Sequence, residues 1–303
     1  MHILATGLEF PEGPIAMPDG SIILVEIARQ TLSRVAADGK VSVIAKIPGG
    51  PNGAAFGPDG RIYVCNNGGF SWIKDAGTHR PYLQAENYGG GSIEVVDATS
   101  GKVERLYDSC NGRRLKGPND LVFDTSGGFW FTDLGKRRER ELDRGFVCWA
   151  KADGAEIREV IGPLLTPNGI GLSPDGRTLY VAETETGRLW SWAITAPGVV
   201  HKRPWPSPHG GTLVHGVGGY TRFDSLAVAA SGNICVAALH RAGIYELTPD
   251  GSRATLHPVP DLSVTNLCFG GPDLRTAYVT MSHEGKLGAM DWHEPGLRLN
   301  FQP

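Results

Sequence analysis

The sequence is poor in the features that most often announce a function. No apolar run approaches the ~20 residues that span a bilayer, which sets aside a helical membrane protein. The opening residues, MHILATGLEF, lack the basic start and long apolar stretch of a secretory leader. Net charge is only −3 over 303 residues, so neither nucleic acid nor an anionic membrane is an expected partner. Five cysteines, Cys65, Cys110, Cys148, Cys235 and Cys268, form an odd total without CxxC spacing. Four lie in apolar strand runs, so reduced, buried thiols in a cytoplasmic protein are expected. There is no GxSxG, no HExxH, no phosphate-binding loop, and no GxGxxG followed by a helix. Helical periodicity is missing as well.

What is present is repetition. Glycine, at 42 residues, is about twice its usual share, as many tight turns require. In TPNGIGLSPDG, residues 166–176, Asn168 precedes Gly176 by eight across a short apolar run and a Pro-Asp-Gly turn. The same spacing joins Glu12 to Gly20, Asn52 to Gly60, Asn119 to Gly127, Asp224 to Gly232 and Asn266 to Leu274, the last without a turn glycine. A second apolar strand follows each turn: SIILVE, RIYVCN, FWFTD, TLYVAE, NICVAA and TAYVT. The interval between units varies from 40 to 67 residues, so insertions separate constant cores.

Six strand-rich units of this size predict an all-β, six-bladed β-propeller forming one domain over residues 1–303. The first strand of each blade would line the central channel. Glu12, Asn52, Asn119, Asn168, Asp224 and Asn266 would then form a ring near the axis. The chain ends, residues 2–8 and 296–303, are the candidates for closing the circle, because a propeller avoids an open sheet edge. If the first strands start on the ring side, the segments 67–91, 134–144 and 201–222 all return to the channel mouth, where function collects.

Every ring side chain carries oxygen, and two are carboxylates. Such groups repel one another in a narrow channel unless a cation lies among them. Oxygen donors favour Ca²⁺, then Mg²⁺ or Mn²⁺; Zn²⁺ is less suited without His or Cys. A divalent ion there could polarise a carbonyl or phosphoryl oxygen. An ion that merely ties the blades together, and six turn residues facing away from the axis, are the competing readings. The run Lys136-Arg137-Arg138 is interleaved with Glu139 and Glu141, as in a solvated loop, and a grip on a substrate carboxylate is the alternative.

Four motifs in order then carry a resemblance: Glu12 in EGP, Asn119 in PND, Asn168 in PNG and Asp224 in FDSLA. Together they resemble the SMP-30/gluconolactonase, or regucalcin-like, family over nearly the whole chain. The resemblance implies a propeller with one axial divalent cation, Ca²⁺ first, and hydrolysis of a small-molecule, sugar-type lactone to its hydroxy acid. It implies Glu12, Asn168 and Asp224 as metal ligands and Asn119 facing both metal and substrate. Squid-type diisopropylfluorophosphatases keep an Asn matching Asn119 as a fourth ligand. Asp224 and Asn119 are the candidate catalytic residues, with Asp224 taking a proton from water or attacking the substrate directly. Asn119, Asp120, Trp72, His79 and Tyr88 are the candidate substrate contacts, the last three from the insertion 67–91, read as a lid. Animal regucalcins have an Arg two residues before this Asn, where Gly117 stands here beside Lys116. Phosphotriester hydrolysis on the same cation and a non-catalytic binding propeller are the alternatives; WD dipeptides and GH blade signatures are missing.

Overall fold

The first strand is wholly buried in four blades and mostly buried in the other two, which is why its sequence reads as small and apolar rather than alternating. The structure, a computed structural model, describes residues 1–75 and 78–303. Six antiparallel sheets of four or five strands follow one another along the chain. Their innermost strands are Pro11–Ala16, Pro51–Phe56, Pro118–Phe123, Pro167–Leu172, Arg222–Val228 and Val264–Gly270. Each packs on the next and the last packs on the first, closing a six-bladed β-propeller. Four of them start with proline, which has no N–H to give and suits the first position of a strand.

The turns follow the spacing of eight. Gly60 and Gly176 take φ of 75° and 67°, the left-handed conformation that a glycine adopts without penalty. Leu274, at the equivalent place in blade six, holds φ of 58° as a leucine, so the turn survives under local strain. The aromatic and aliphatic side chains of neighbouring blades fill the seams. Tyr63, Phe123 and Phe129 join blades two and three, and Trp130, Trp190 and Trp192 join blades three and four. All five cysteines are free and buried.

The two chain ends do different jobs. His2–Ala5 pairs with Lys286–Asp291 as the outer strand of blade six, closing the circle as expected. The C-terminal segment joins no blade as a strand and instead crosses the channel floor. Leu297 N–H donates to Val228 O (2.9 Å), Asn300 Nδ2 to Phe123 O (2.9 Å) and Gln302 Nε2 to Ala16 O (2.9 Å), reaching blades five, three and one. The channel is therefore served from the opposite end.

That end carries two of the three predicted mouth segments. Phe70–Asp75 and Thr78–Gln84 form a separate hairpin, and residues 134–144 a short loop beside it. The segment 201–222 meets the expectation only at its end, where Arg222 lines the mouth cavity. Thr212–Gly216 within it pairs with Arg188–Ser191 as an outer strand of blade four. Its Gly, Pro and His content hid a strand whose register is fixed by its partner alone.

Candidate functional site

Each innermost strand is irregular at its head. The register slips between Glu12 and Ile15, Pro51 and Ala54, Pro118 and Leu121, Pro167 and Ile170, Phe223 and Leu226, and Val264 and Asn266. A bulge re-aims the side chain at its centre; Asn52, Asn119, Asn168 and Asp224 lie inside such slips, and Glu12 and Asn266 border theirs. Neighbouring strands close in tightly beside them. A Cβ on Gly53 would lie 2.6 Å from Asp120 Cα, and one on Gly169 2.7 Å from Asp224 O, so only glycine fits. Thr132 Oγ1 donates to Asn168 O (2.6 Å), tying blade three to blade four at ring level.

All six ring side chains are buried. Glu12, Asn52, Asn119, Asn168 and Asp224 face a cavity of about 150 Å³ at the mouth. Asn266 lies just below, where its Nδ2 donates to Glu12 Oε2 (2.8 Å), the oxygen that also accepts Gly13 N–H (2.7 Å). Asn168 Nδ2 donates to Thr184 Oγ1 (3.1 Å), which orients its oxygen. Asn119 Oδ1 is buried and accepts no hydrogen bond. A buried acceptor left unpaired calls for an explanation.

The electrostatics ask for a cation. Burial pushes the Asp224 carboxyl up to about 8; the Asn168 amide and Arg222 pull it down and Asp120 pushes it further up. Burial first, then the charge of Asp224, lifts Glu12 well above the carboxylate range. Burial lifts Asp120 to about 7. Glu12, Asp120 and Asp224 are three buried carboxyl groups near one another, and Arg222, which lines the mouth cavity, is paired with Glu185. The donor set is all oxygen, two of its members can each supply a negative charge, and Asn119 Oδ1 is vacant as an acceptor. These residues fit a hard divalent cation.

Around the ring the walls are mainly apolar: Phe10, Ile27, Phe70, Leu134, Leu142 and Leu239. Arg137, Arg222, Glu185 and Tyr82 give the rim its polarity. Arg222 pairs with Glu185. Phe10 and Thr166, each two residues before a ring residue, hold φ of 58° and 48° while lining the cavity. Non-glycine residues kept in this region cluster at functional sites.

The substrate contacts expected from the lid are arranged differently. Phe70, Pro81 and Tyr82 reach the cavity from the hairpin. Trp72 instead packs on Phe10 (ring centroids 5.3 Å) and joins the blade-one core, with His79 edge-on to it at 6.1 Å. Tyr88 donates its hydroxyl to Lys116 O (2.6 Å), outside the cavity. Asp120, next along from Asn119, opens to a lower cavity of about 80 Å³ above the C-terminal segment. The basic run splits three ways. Lys136, 1% exposed, donates from Nζ to Gly69 O (2.7 Å) and lies 4.3 Å from the Phe70 ring, clipping the hairpin to blade three. Arg137 faces the cavity, and Arg138 makes a two-pronged pair with Asp143 (3.0 and 2.8 Å). Burial lowers Lys136 to about 7.

Arg222, Thr184 and Glu185 went unnoticed in the sequence, although two signals were there. Arg222 stands two residues before Asp224 at the head of one strand, and both line the cavity. Thr184 and Glu185 follow the second strand of blade four, where the chain returns to the mouth as the lid does. One further cluster lies away from the channel. Donor atoms of Glu246, His257 and His293 all fall within 4.8 Å of one another, a grouping able to hold a metal.

A six-bladed propeller with a buried ring of oxygen donors under a single mouth is thus the class this chain defines. The SMP-30/gluconolactonase/LRE-like family model matches residues 10–283, and the chain belongs to that family. It is 26% identical to a gluconolactonase of Zymomonas mobilis, over 93% of this chain and 79% of that one. To the diisopropyl-fluorophosphatase of Loligo vulgaris it is 30% identical, over 67% of each. The calcium-binding regucalcin of Agrobacterium tumefaciens superposes with a TM-score of 0.73, at 20% identity, over 98% of this chain and 97% of that one.

Proposed function

We propose that this protein is a metal-dependent hydrolase that opens a sugar-type or related lactone to its hydroxy acid. The observation that carries the reading is the dead-end cavity whose floor is Glu12, Asn119, Asn168 and Asp224, with Asn119 Oδ1 unpaired. Those four residues would hold one divalent cation, Ca²⁺ before Mg²⁺, Mn²⁺ or Zn²⁺. When bound, it supplies a Lewis acid for a carbonyl or phosphoryl oxygen. Asp224, a carboxyl at the base of the cavity, holds the proton given up by the attacking water. Asn168, pinned by Thr184, fixes the orientation of Asp224. Asn119 presents its amide to the substrate. The apolar wall excludes bulk water, and Arg137 and Arg222 offer positive charge to the carboxylate of the product.

A second reading has its own support. The likeness to the squid diisopropyl-fluorophosphatase favours a phosphotriester as substrate at the same four residues, with Asp224 as nucleophile. A panel of lactones run beside a phosphotriester, each before and after chelation and metal return, separates the readings. Lactone turnover that chelation abolishes and Ca²⁺ restores supports the proposal. Turnover of the phosphotriester alone transfers the site to that substrate class. No turnover of either leaves a binding propeller and overturns the enzyme.

A further inference from the structure

The geometry points to a second metal site, of the zinc type, in the seam between blades five and six, which fastens the C-terminal segment under the channel. Glu246 lies in strand Gly243–Leu247, opposite Thr255 of the next strand, and His257 stands two residues beyond Thr255. Residues two apart share a face, so Glu246 and His257 meet across the pair. His293 and Glu294 arrive from the segment just after the strand Lys286–Asp291. His257 Nε2 lies 2.8 Å from Glu246 Oε2, and His293 Nε2 lies 3.2 Å from Glu246 Oε1. Glu294 Oε1 is 3.8 Å from His293 Nε2.

Bonds of ~2.0–2.2 Å to zinc put tetrahedral ligand atoms about 3.3 Å apart, close to these spacings. Two imidazoles with one or two carboxylates favour Zn²⁺ over Ca²⁺, which takes oxygen. The surroundings are those of a built site. The Asn233 amide donates to both Glu246 Oε1 (2.8 Å) and Glu294 Oε1 (3.1 Å), holding the two carboxylates as an outer-shell partner does. The two imidazole planes lie 12° from parallel, and His257 packs on Trp292 at 4.5 Å. Among the described residues neither carboxylate is paired with a Lys or Arg. Beside the neutral Asn233 amide, the two carboxylates thus meet only imidazoles as ionic partners.

The position gives the site its purpose. Pro295 O accepts Ala230 N–H (2.9 Å) and Leu297 N–H donates to Val228 O (2.9 Å) directly after the cluster. A metal at Glu246, His257 and His293 staples the start of the channel floor to blade five.

The test is a calorimetric Zn²⁺ titration of the full chain with Ca²⁺ in excess to occupy the axial ring. Wild type, His293→Gln and the double variant His257→Gln/His293→Gln are compared, after metal-free melting shows that each is folded. Wild type should take up one Zn²⁺, and each variant should bind it more than about 100-fold more weakly, beyond the ~10–100-fold that an outer-shell loss brings. Zn²⁺ should raise the melting temperature of wild type but of neither histidine variant, by linkage, and slow amide exchange at Leu297. A Glu12→Gln/Asp224→Asn variant should keep the Zn²⁺ uptake, so the outcome does not depend on the axial site. No uptake by wild type, or equal uptake by the double variant, overturns the proposal.

Discussion

Remove every cation, and the carboxyl groups of the ring should make stability fall as pH rises. Asp224 has an ordinary value of 3.8 and is raised to about 8 in the folded chain. A carboxyl raised on folding binds more protons in the folded than in the unfolded state throughout that interval. Its contribution is fully present below its unfolded value and is lost as pH climbs to about 8. Each pK unit corresponds to about 1.4 kcal/mol, so Asp224 accounts for on the order of 4 kcal/mol between about pH 5 and pH 8. At roughly 2 °C per kcal/mol for a chain of this size, the midpoint should drop by about 8 °C. Asp120, raised to about 7, and Glu12 act in the same direction. The assay is thermal unfolding of chelator-treated protein across that range, against Asp224→Asn, whose side chain does not titrate. His209 and His240, both lowered by burial, contribute alike to both proteins and cancel in the difference. Excess Ca²⁺ should flatten the wild-type profile, since charged carboxylates are then stabilised. Identical pH slopes in metal-free wild type and Asp224→Asn, or a slope that Ca²⁺ leaves untouched, would refute the reasoning.

Three further outcomes are expected. Leu274→Gly should stabilise the protein by about 1 kcal/mol by relieving a left-handed leucine, and an unchanged or lower denaturant midpoint would count against that strain. Gly53→Ala should destabilise by about 1–3 kcal/mol or more, because its methyl would strike the Asp120 backbone; a neutral result would mean that the strands have room to part. Lys136→Ala should release the hairpin that supplies Phe70, Pro81 and Tyr82 to the cavity, raising KM for the preferred substrate while Ca²⁺ affinity stays near wild type. If KM does not move, the hairpin contributes no binding.

The ring could be read in the sequence because three constraints fall within ten residues: a buried inner strand, a bulge at its head and a left-handed turn at its end. Even Leu274, without the glycine, kept its place by spacing alone. Blade four shows where such reading stops. Thr212–Gly216 is a strand only because Arg188–Ser191 is beside it, and nothing in TLVHG announces that partner. Lys136 shows the same limit for a side chain. A lysine among arginines and glutamates reads as solvated, and its burial depends on Gly69 and Phe70 arriving from another blade's insertion. The aromatic residues of the hairpin could be seen, but which of them face the cavity follows from the pairing of Trp72 with Phe10 across a long sequence gap.

The central claim is that the axial ring handles a proton as well as an ion, and one substitution tests it most directly. Asp224→Asn keeps the size and one oxygen donor while removing the charge and the proton-accepting group. Turnover of the best lactone is measured with Ca²⁺ raised until activity no longer responds, so that lost affinity does not count. The expected result is a loss on the order of 10²-fold or more in kcat with the cation bound. Turnover near wild type in Ca²⁺-saturated Asp224→Asn would contradict it, leaving the ion a tie between the blades.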